Sequence, residues 1–208
     1  MQKYVVRVDD VGQGEDQSTV DTGLANFLRW YEPWRGTPMY LGCVPACFGK
    51  CELAALADVD PTLIAIHGWD HAKRDMTAQD LAKGRLVFPA SSVVVPPYNL
   101  YGDDLLDAMG QGWTLLGGFH GQDHEYGREP VRVGGGCIHA SAVTALYARS
   151  WDVVSNIKRN LVPVVDYLLQ LVLHWRWEAG KSSEVLAELV KPYMVRVDAL
   201  HEYADRHR

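Results

Sequence analysis

The chain has 208 residues, 48% hydrophobic and 22% charged, which is enough apolar material for one packed domain and too much for a disordered or fibrous chain. A formal net charge of −6 argues against a nucleic-acid or anionic-membrane partner, because both favour a basic surface. No apolar run approaches the length of a membrane span and no leader precedes Lys3, so the expectation is a soluble, cytoplasmic protein.

Tyr4 to Val8 is an apolar, β-branched run that reads as a buried strand and ends abruptly in Asp9-Asp10-Val11-Gly12. Two adjacent carboxylates at a buried strand end are costly unless something offsets their repulsion, and a divalent cation does so. Neighbouring side chains on extended backbone point in opposite directions, so one Asp can ligate a metal while the other stays free as a base. A solvated Asp-Asp turn is the plain alternative. Val20, Leu24, Phe27, Leu28 and Tyr31 then recur at helical spacing up to Pro33, as in a crossover helix. Met39 to Val44 reads as the next strand and Cys47 to Ala57 as a short helix. Cys43, Cys47 and Cys51 are four apart and Cys137 is distant. This pattern lacks the paired close spacings of structural zinc sites, which favours reduced, partly buried thiols over a three-thiol metal site.

Leu63 to Ile66 forms a third strand signal and runs into His67-Gly68-Trp69-Asp70-His71. If His67 closes the strand and the chain turns at Gly68, the two imidazoles converge on one point, as two ligands of one ion must. Two unrelated surface histidines are the alternative. Joined to the Asp pair, they complete an Asp-His-His set with coordination positions open for water and substrate. Thr77-Ala78-Gln79-Asp80 opens a helix in the manner of a capping box, and Val93 to Val95 is a buried strand halted by Pro96 and Pro97. Asp103 to Met109 reads as helix, Trp113 to Phe119 as strand, and Val131 to Ile138 as a Gly-rich strand or loop. His139 to Arg149 and Asp152 to Gln170 read as helices, the second bent at Pro163. Leu171 to Trp175 is the last strand, and Ser182 to His207 an amphipathic helix interrupted at Pro192. The alternation means an α/β fold with a parallel sheet, in a single domain over residues 1–208. With about seven strands, periodicity alone leaves a closed or nearly closed barrel and an open sheet both available.

Val8-Asp9-Asp10-Val11-Gly12 resembles the first motif of the polysaccharide deacetylases (carbohydrate esterase family 4, the NodB-homology fold), and His67-Gly68-Trp69-Asp70-His71 resembles their second, His-x-x-x-His. Val95-Pro96-Pro97-Tyr98 is similar to the third, Arg-x-Pro-Tyr, and Leu171-Val172-Leu173-His174 to the last. The resemblance spans most of the chain and implies a distorted (β/α) barrel with its site at the carboxyl ends of the strands. It further implies that Asp10, His67 and His71 hold one divalent ion, Zn2+ being the expected one, which polarises a substrate carbonyl and activates a bound water. Asp9 is then the base, His174 the acid that protonates the leaving amine, and the backbone N–H of Tyr98 the oxyanion donor. Tyr98 and Asn99 of the third motif would also meet the substrate. The family pairs its base with an Arg at the start of the third motif, where this chain has Val95. Arg7, on the same strand face as Asp9, is the available substitute, although a strand interior is a poor place for it. The Pro-Pro-Tyr-Asn form points to a divergent branch of the superfamily. Asp152, after Trp151, is the candidate for the carboxylate that tunes the acid histidine.

Outside the motifs, Phe119 to His124 follows a predicted strand, so His120 either lines the cleft or belongs to a solvated loop. Trp69 and Trp175 flank proposed site residues and either stack on a sugar face or pack internally. Gly134-Gly135-Gly136 lacks the strand-to-helix context of a phosphate loop. The expected function is metal-dependent deacetylation of an N-acetylated, secondarily O-acetylated, carbohydrate, without nucleic-acid or membrane partners. A non-catalytic barrel that binds sugar or metal is the alternative. A phosphoesterase is disfavoured by the absence of a phosphate-binding Arg/Lys cluster.

Overall fold

A computed structural model describes residues 3–12, 17–118, 129–140, 143–145, 169–174 and 183–207. The strands are β1 (Tyr4–Val11), β2 (Met39–Cys43), β3 (Ile64–Ile66), β4 (Val93–Val94), β5 (Thr114–Leu116), β6 (Val131–Val133), β7 (Cys137–Ala140), β8 (Val143–Ala145) and β9 (Leu169–His174). The helices are α1 (Gln17–Tyr31), α2 (Lys50–Ala55), α3 (Ala78–Val87), α4 (Asp103–Ala108), α5 (Ser183–Val190) and α6 (Asp198–Arg206). All nine strands join one sheet in the order β6-β7-β5-β4-β3-β2-β1-β9-β8. Neighbours run parallel throughout except β6, which is antiparallel to β7.

The sheet is strongly curled. β7 and β8 lie near opposite ends of the strand order, yet Ala140 and Val143 are only three residues apart in the chain, a path of at most about 11 Å. Across the same gap the Gln170 side-chain amide of β9 donates to the Ala140 carbonyl of β7. No backbone ladder joins the two edges among the described residues. The sheet is therefore a curled half-barrel and not a closed one; the expected α/β class holds, and the eight parallel strands are close to the seven anticipated for the distorted (β/α) barrel.

Period-two alternation sorts the core into two layers. On the convex face Val6, Val8, Leu41, Ile66, Leu115 and Leu173 pack with Leu24 and Phe27 of α1, Leu81 of α3 and Leu186 of α5. On the concave face Val5, Tyr40, Ala65, Val95, Leu116 and Ile138 pack with Val197, Leu200 and Ala204. α6 and the segment before it sit at the strand starts: the Val195 N–H donates to the Tyr4 carbonyl at 2.9 Å, and His201 Nε2 meets Thr114 Oγ1 at 2.8 Å. One end of the half-barrel is thus filled, and Asp9, Asp10, His67 and His174 lie at the other, at the carboxyl ends of the strands.

Several boundaries differ from the sequence reading. Of the stretch from His139 to Arg149 that reads as helix, His139 and Ala140 continue β7 and Val143–Ala145 form β8, while residues 141–142 and 146–149 lie outside the described residues; a short apolar run carrying β-branched Val143 and Thr144 fits either period and is decided by the strands available to pair with it. β9 begins at Leu169, which removes the last residues of the expected 152–170 helix; residues 152–168 of that helix lie outside the described residues. Residues 131–138 form the β6–β7 hairpin. Gly134, at φ 48°, is required in its turn, since a Cβ there would lie 2.6 Å from the Leu106 carbonyl oxygen. α3 opens on the expected capping box: Thr77 Oγ1 accepts the Asp80 N–H at 3.3 Å and the Asp80 carboxylate accepts the Thr77 N–H at 3.0 Å.

Candidate metal centre

β1 ends in a bulge. Val8 faces Leu41 of β2 and Val11 faces Cys43, so β1 carries one extra residue and its alternation is broken there. Asp10 takes up the irregularity in the left-handed region, at φ 64°. The bulge re-aims its carboxylate, and simple alternation of Asp9 and Asp10 is replaced by two carboxylates that serve adjoining parts of one site.

The exit of β3 supplies the histidines. The His67 N–H donates to the Cys43 carbonyl at 2.8 Å, continuing the ladder one residue past the strand. His67 Nδ1 lies 2.8 Å from the Val95 carbonyl oxygen, which can only accept, so the proton sits on Nδ1 and, in the neutral ring, Nε2 is the ligating atom. His67 Nε2 is 3.2 Å and His71 Nε2 3.0 Å from Asp10 Oδ1. The chain returns so quickly because Gly68 stands at φ 67°, where a Cβ would come within 2.7 Å of Pro97 Cγ.

Asp10, His67 and His71 offer donor atoms all within 4.8 Å of one another, and they form the one such group of His, Cys, Asp or Glu among the described residues. Zinc–ligand bonds of about 2.0–2.2 Å place neighbouring donors of a tetrahedral set roughly 3.3–3.6 Å apart, close to the two contacts of Asp10 with His67 and His71. Charge agrees with this fit. Burial alone would raise the Asp10 carboxyl, but hydrogen bonds to His67 and His71 and their charges outweigh it and hold the group well below the usual carboxylate range. Burial pulls the His67 imidazole down, and its hydrogen bond to Asp10 with the charges of Asp9 and Asp10 more than reverses that. A carboxylate and two imidazoles arranged this way could hold a metal ion. The cysteines take no part: Cys43 is buried, Cys47 half-buried, Cys51 exposed, and none is in a disulfide.

Beside the cluster, Asp9 is 4% exposed and its Oδ2 lies 3.2 Å from Arg7 Nη1. Its Oδ1 is buried without a hydrogen-bond partner. His174 closes β9 in register with Asp9, so the two side chains leave neighbouring strands on the same face. Burial pulls the His174 imidazole below its ordinary value, opposed in part by the charges of Asp9 and Asp10. The Tyr98 ring stands 5.2 Å from that of His71 and is 52% exposed. Asn99 is buried, and its Oδ1 accepts the Gly118 N–H at 2.8 Å, tying the exits of β4 and β5 together. The half-buried Trp69 ring is covered by Lys83 Nζ of α3 at 5.6 Å. His120, Asp152 and Trp175 lie outside the described residues.

Backbone strain marks the same place. Among the described residues the non-glycines with positive φ are Asp10, His71, Tyr98 and Asn99, all of them expected site residues. Each costs on the order of 1–3 kcal/mol and persists only where surrounding structure enforces it, as functional sites do. Sequence reasoning missed the Val95 carbonyl as the partner of His67 and Leu116 as a partner of Arg7; neither backbone contact leaves a trace in residue type. No family model matches the chain, and no curated protein matches it either.

Proposed function

We propose that the chain is a metal-dependent hydrolase releasing acetate from an N-acetylated, secondarily O-acetylated, carbohydrate. In this reading it is a cytoplasmic, divergent relative of the polysaccharide deacetylases whose half-barrel corresponds to their distorted (β/α) barrel. The observation that carries the reading is the Asp10–His67–His71 cluster with a second carboxylate, Asp9, beside it and outside the cluster. A structural metal site has no use for that extra buried base. No helix among the described residues is long and apolar enough to cross a membrane.

Asp10, His67 and His71 would hold a divalent ion, zinc by the character of the donors, and such an ion supplies Lewis acidity toward a carbonyl oxygen and a lowered pKa for coordinated water. Asp9 Oδ1, without another hydrogen bond, takes the proton from the attacking water. An amine leaves an amide poorly unless it is protonated, and His174, on the strand next to Asp9, donates that proton. The Tyr98 N–H donates to the developing oxyanion. The exposed Tyr98 ring over His71 gives the sugar a flat surface to lie on.

Acetate release from a panel of N-acetyl sugars by the zinc-loaded protein tests this. Asp9→Asn is expected to lower kcat by roughly 100-fold or more while metal content stays at the wild-type level. Equal turnover in Asp9→Asn would refute the assignment of the base.

A further inference from the structure

We infer that Arg7 is the positioning residue of the Asp9 base, an inference that rests on the hydrolase reading. Arg7 is 1% exposed in the middle of β1, where the other buried side chains apart from Asp9 are apolar or tyrosine. Stability does not explain a guanidinium there, because a buried ion pair is often no better than apolar residues of the same volume. Geometry does. Arg7 Nη1 lies 3.2 Å from Asp9 Oδ2 and donates at 3.2 Å to the Leu116 carbonyl of β5. Three strands separate β1 from β5 in the sheet, so the side chain crosses the concave interior and is tied to the facing wall.

An arginine anchored at its tip to another strand cannot follow the carboxylate if it rotates; it fixes it. The two oxygens of Asp9 are thereby divided. Oδ2 is held by charge, and Oδ1 stays buried without a partner. Gly42 of β2 preserves the space at that oxygen, since a Cβ there would approach it to 3.0 Å. One oxygen held and one kept open is the arrangement a general base needs to receive a proton at a fixed point. The cation for the base is therefore supplied from within β1 itself. Val95, just after β4, contributes only a buried apolar side chain and the carbonyl that orients His67.

The test compares the zinc-loaded full chain with Arg7→Lys and Arg7→Met. The Met variant is expected to keep its metal and a KM within about threefold of wild type while kcat falls roughly 100-fold, and Lys to recover part of that loss. Crystal structures of both variants add a readout independent of turnover: the Asp9 carboxylate leaves its wild-type position in Arg7→Met. A Met variant with kcat within about threefold of wild type, or with an unmoved Asp9, overturns the inference. If Arg7→Met does not fold, Arg7→Gln, which also removes the charge, decides by the same two criteria. If the wild-type protein releases no acetate from any N-acetyl sugar, the deacetylase reading falls, and the position of Asp9 in the variant crystals alone decides the role of Arg7.

Discussion

His67 is confined at both ring nitrogens, with the Nδ1 proton committed to the Val95 carbonyl at 2.8 Å and Nε2 directed at Asp10. Such outer contacts orient a ligand and typically change metal affinity 10–100-fold when disturbed. The contact between Gly68 and Pro97 lets this be tested without removing a donor atom. Gly68→Ala would force a Cβ against Pro97 at 2.7 Å in a backbone conformation of φ 67°, displacing the turn on which His71 depends. Titration against a competing chelator is expected to show zinc affinity reduced by at least about tenfold in Gly68→Ala; an unchanged affinity would mean the turn tolerates the shift. At this scale much was readable in the sequence. Asp9, Asp10, His67 and His71 announced themselves as acidic and imidazole groups at strand exits. The left-handed Asp10 did not, because a bulge depends on the register of β2 as well as on β1. The Arg7–Asp9 pair was readable as a shared strand face, but its anchor on Leu116 exists only once the sheet curls.

α3 shows how an element's own sequence specifies it. Thr77 and Asp80 satisfy each other's backbone N–H groups, and Arg74 Nη1 reaches the Asp80 carboxylate at 2.6 Å. Thr77→Ala removes one of these acceptors and is expected to lower stability by about 1 kcal/mol in denaturant unfolding. Burial alone would raise the Asp80 carboxyl, but Arg74 and the Thr77 groups outweigh it and hold the carboxyl below its ordinary value. A depressed carboxyl stabilises the fold above its unfolded pKa of about 3.9 and loses that contribution as pH falls through its folded value. Asp80→Asn should therefore be less stable than wild type at neutral pH, with the gap closing below about pH 4. A gap that stays constant into acid would show that the carboxylate's charge contributes nothing. The capping box was legible because it is local. β7 and β8 were not, because three- and four-residue strands carry too little pattern to outvote a helical reading, and β5 and β9 are what make them strands.

Among the described residues of the whole molecule, α6 fills one end of the sheet and the proposed site residues lie at the other. α6 closes the concave face at the strand starts through Leu200, which is fully buried with Val5, Tyr40 and Ile138. Leu200→Ala is expected to cost about 2–5 kcal/mol of stability, seen as a lower unfolding midpoint, while metal content stays at the wild-type level because the site is at the other end. Loss of metal in a folded Leu200→Ala protein would contradict that separation. Alternating strand and helix signals made the α/β class and the parallel sheet legible. The curl was not: it accumulates from the twist of each strand on the next over the whole sheet, and no single stretch encodes it. The amphipathic pattern of residues 182–207 likewise revealed the helical stretches on either side of Pro192 without saying that α5 packs on the convex face and α6 on the concave one. The residues proposed as metal ligands, base and acid nevertheless fall together, since every one of them was read at a strand's carboxyl end and a parallel sheet gathers those ends on one side.

Everything proposed about the chemistry depends on a cation at Asp10, His67 and His71, and elemental analysis of the purified protein beside His71→Ala tests it most directly. The expected result is about one divalent ion per chain in wild type and little in the variant. Absence of metal from both proteins, even after incubation with zinc, would contradict the account and leave Asp10 and its two histidines as an ion-paired cluster without a catalytic role.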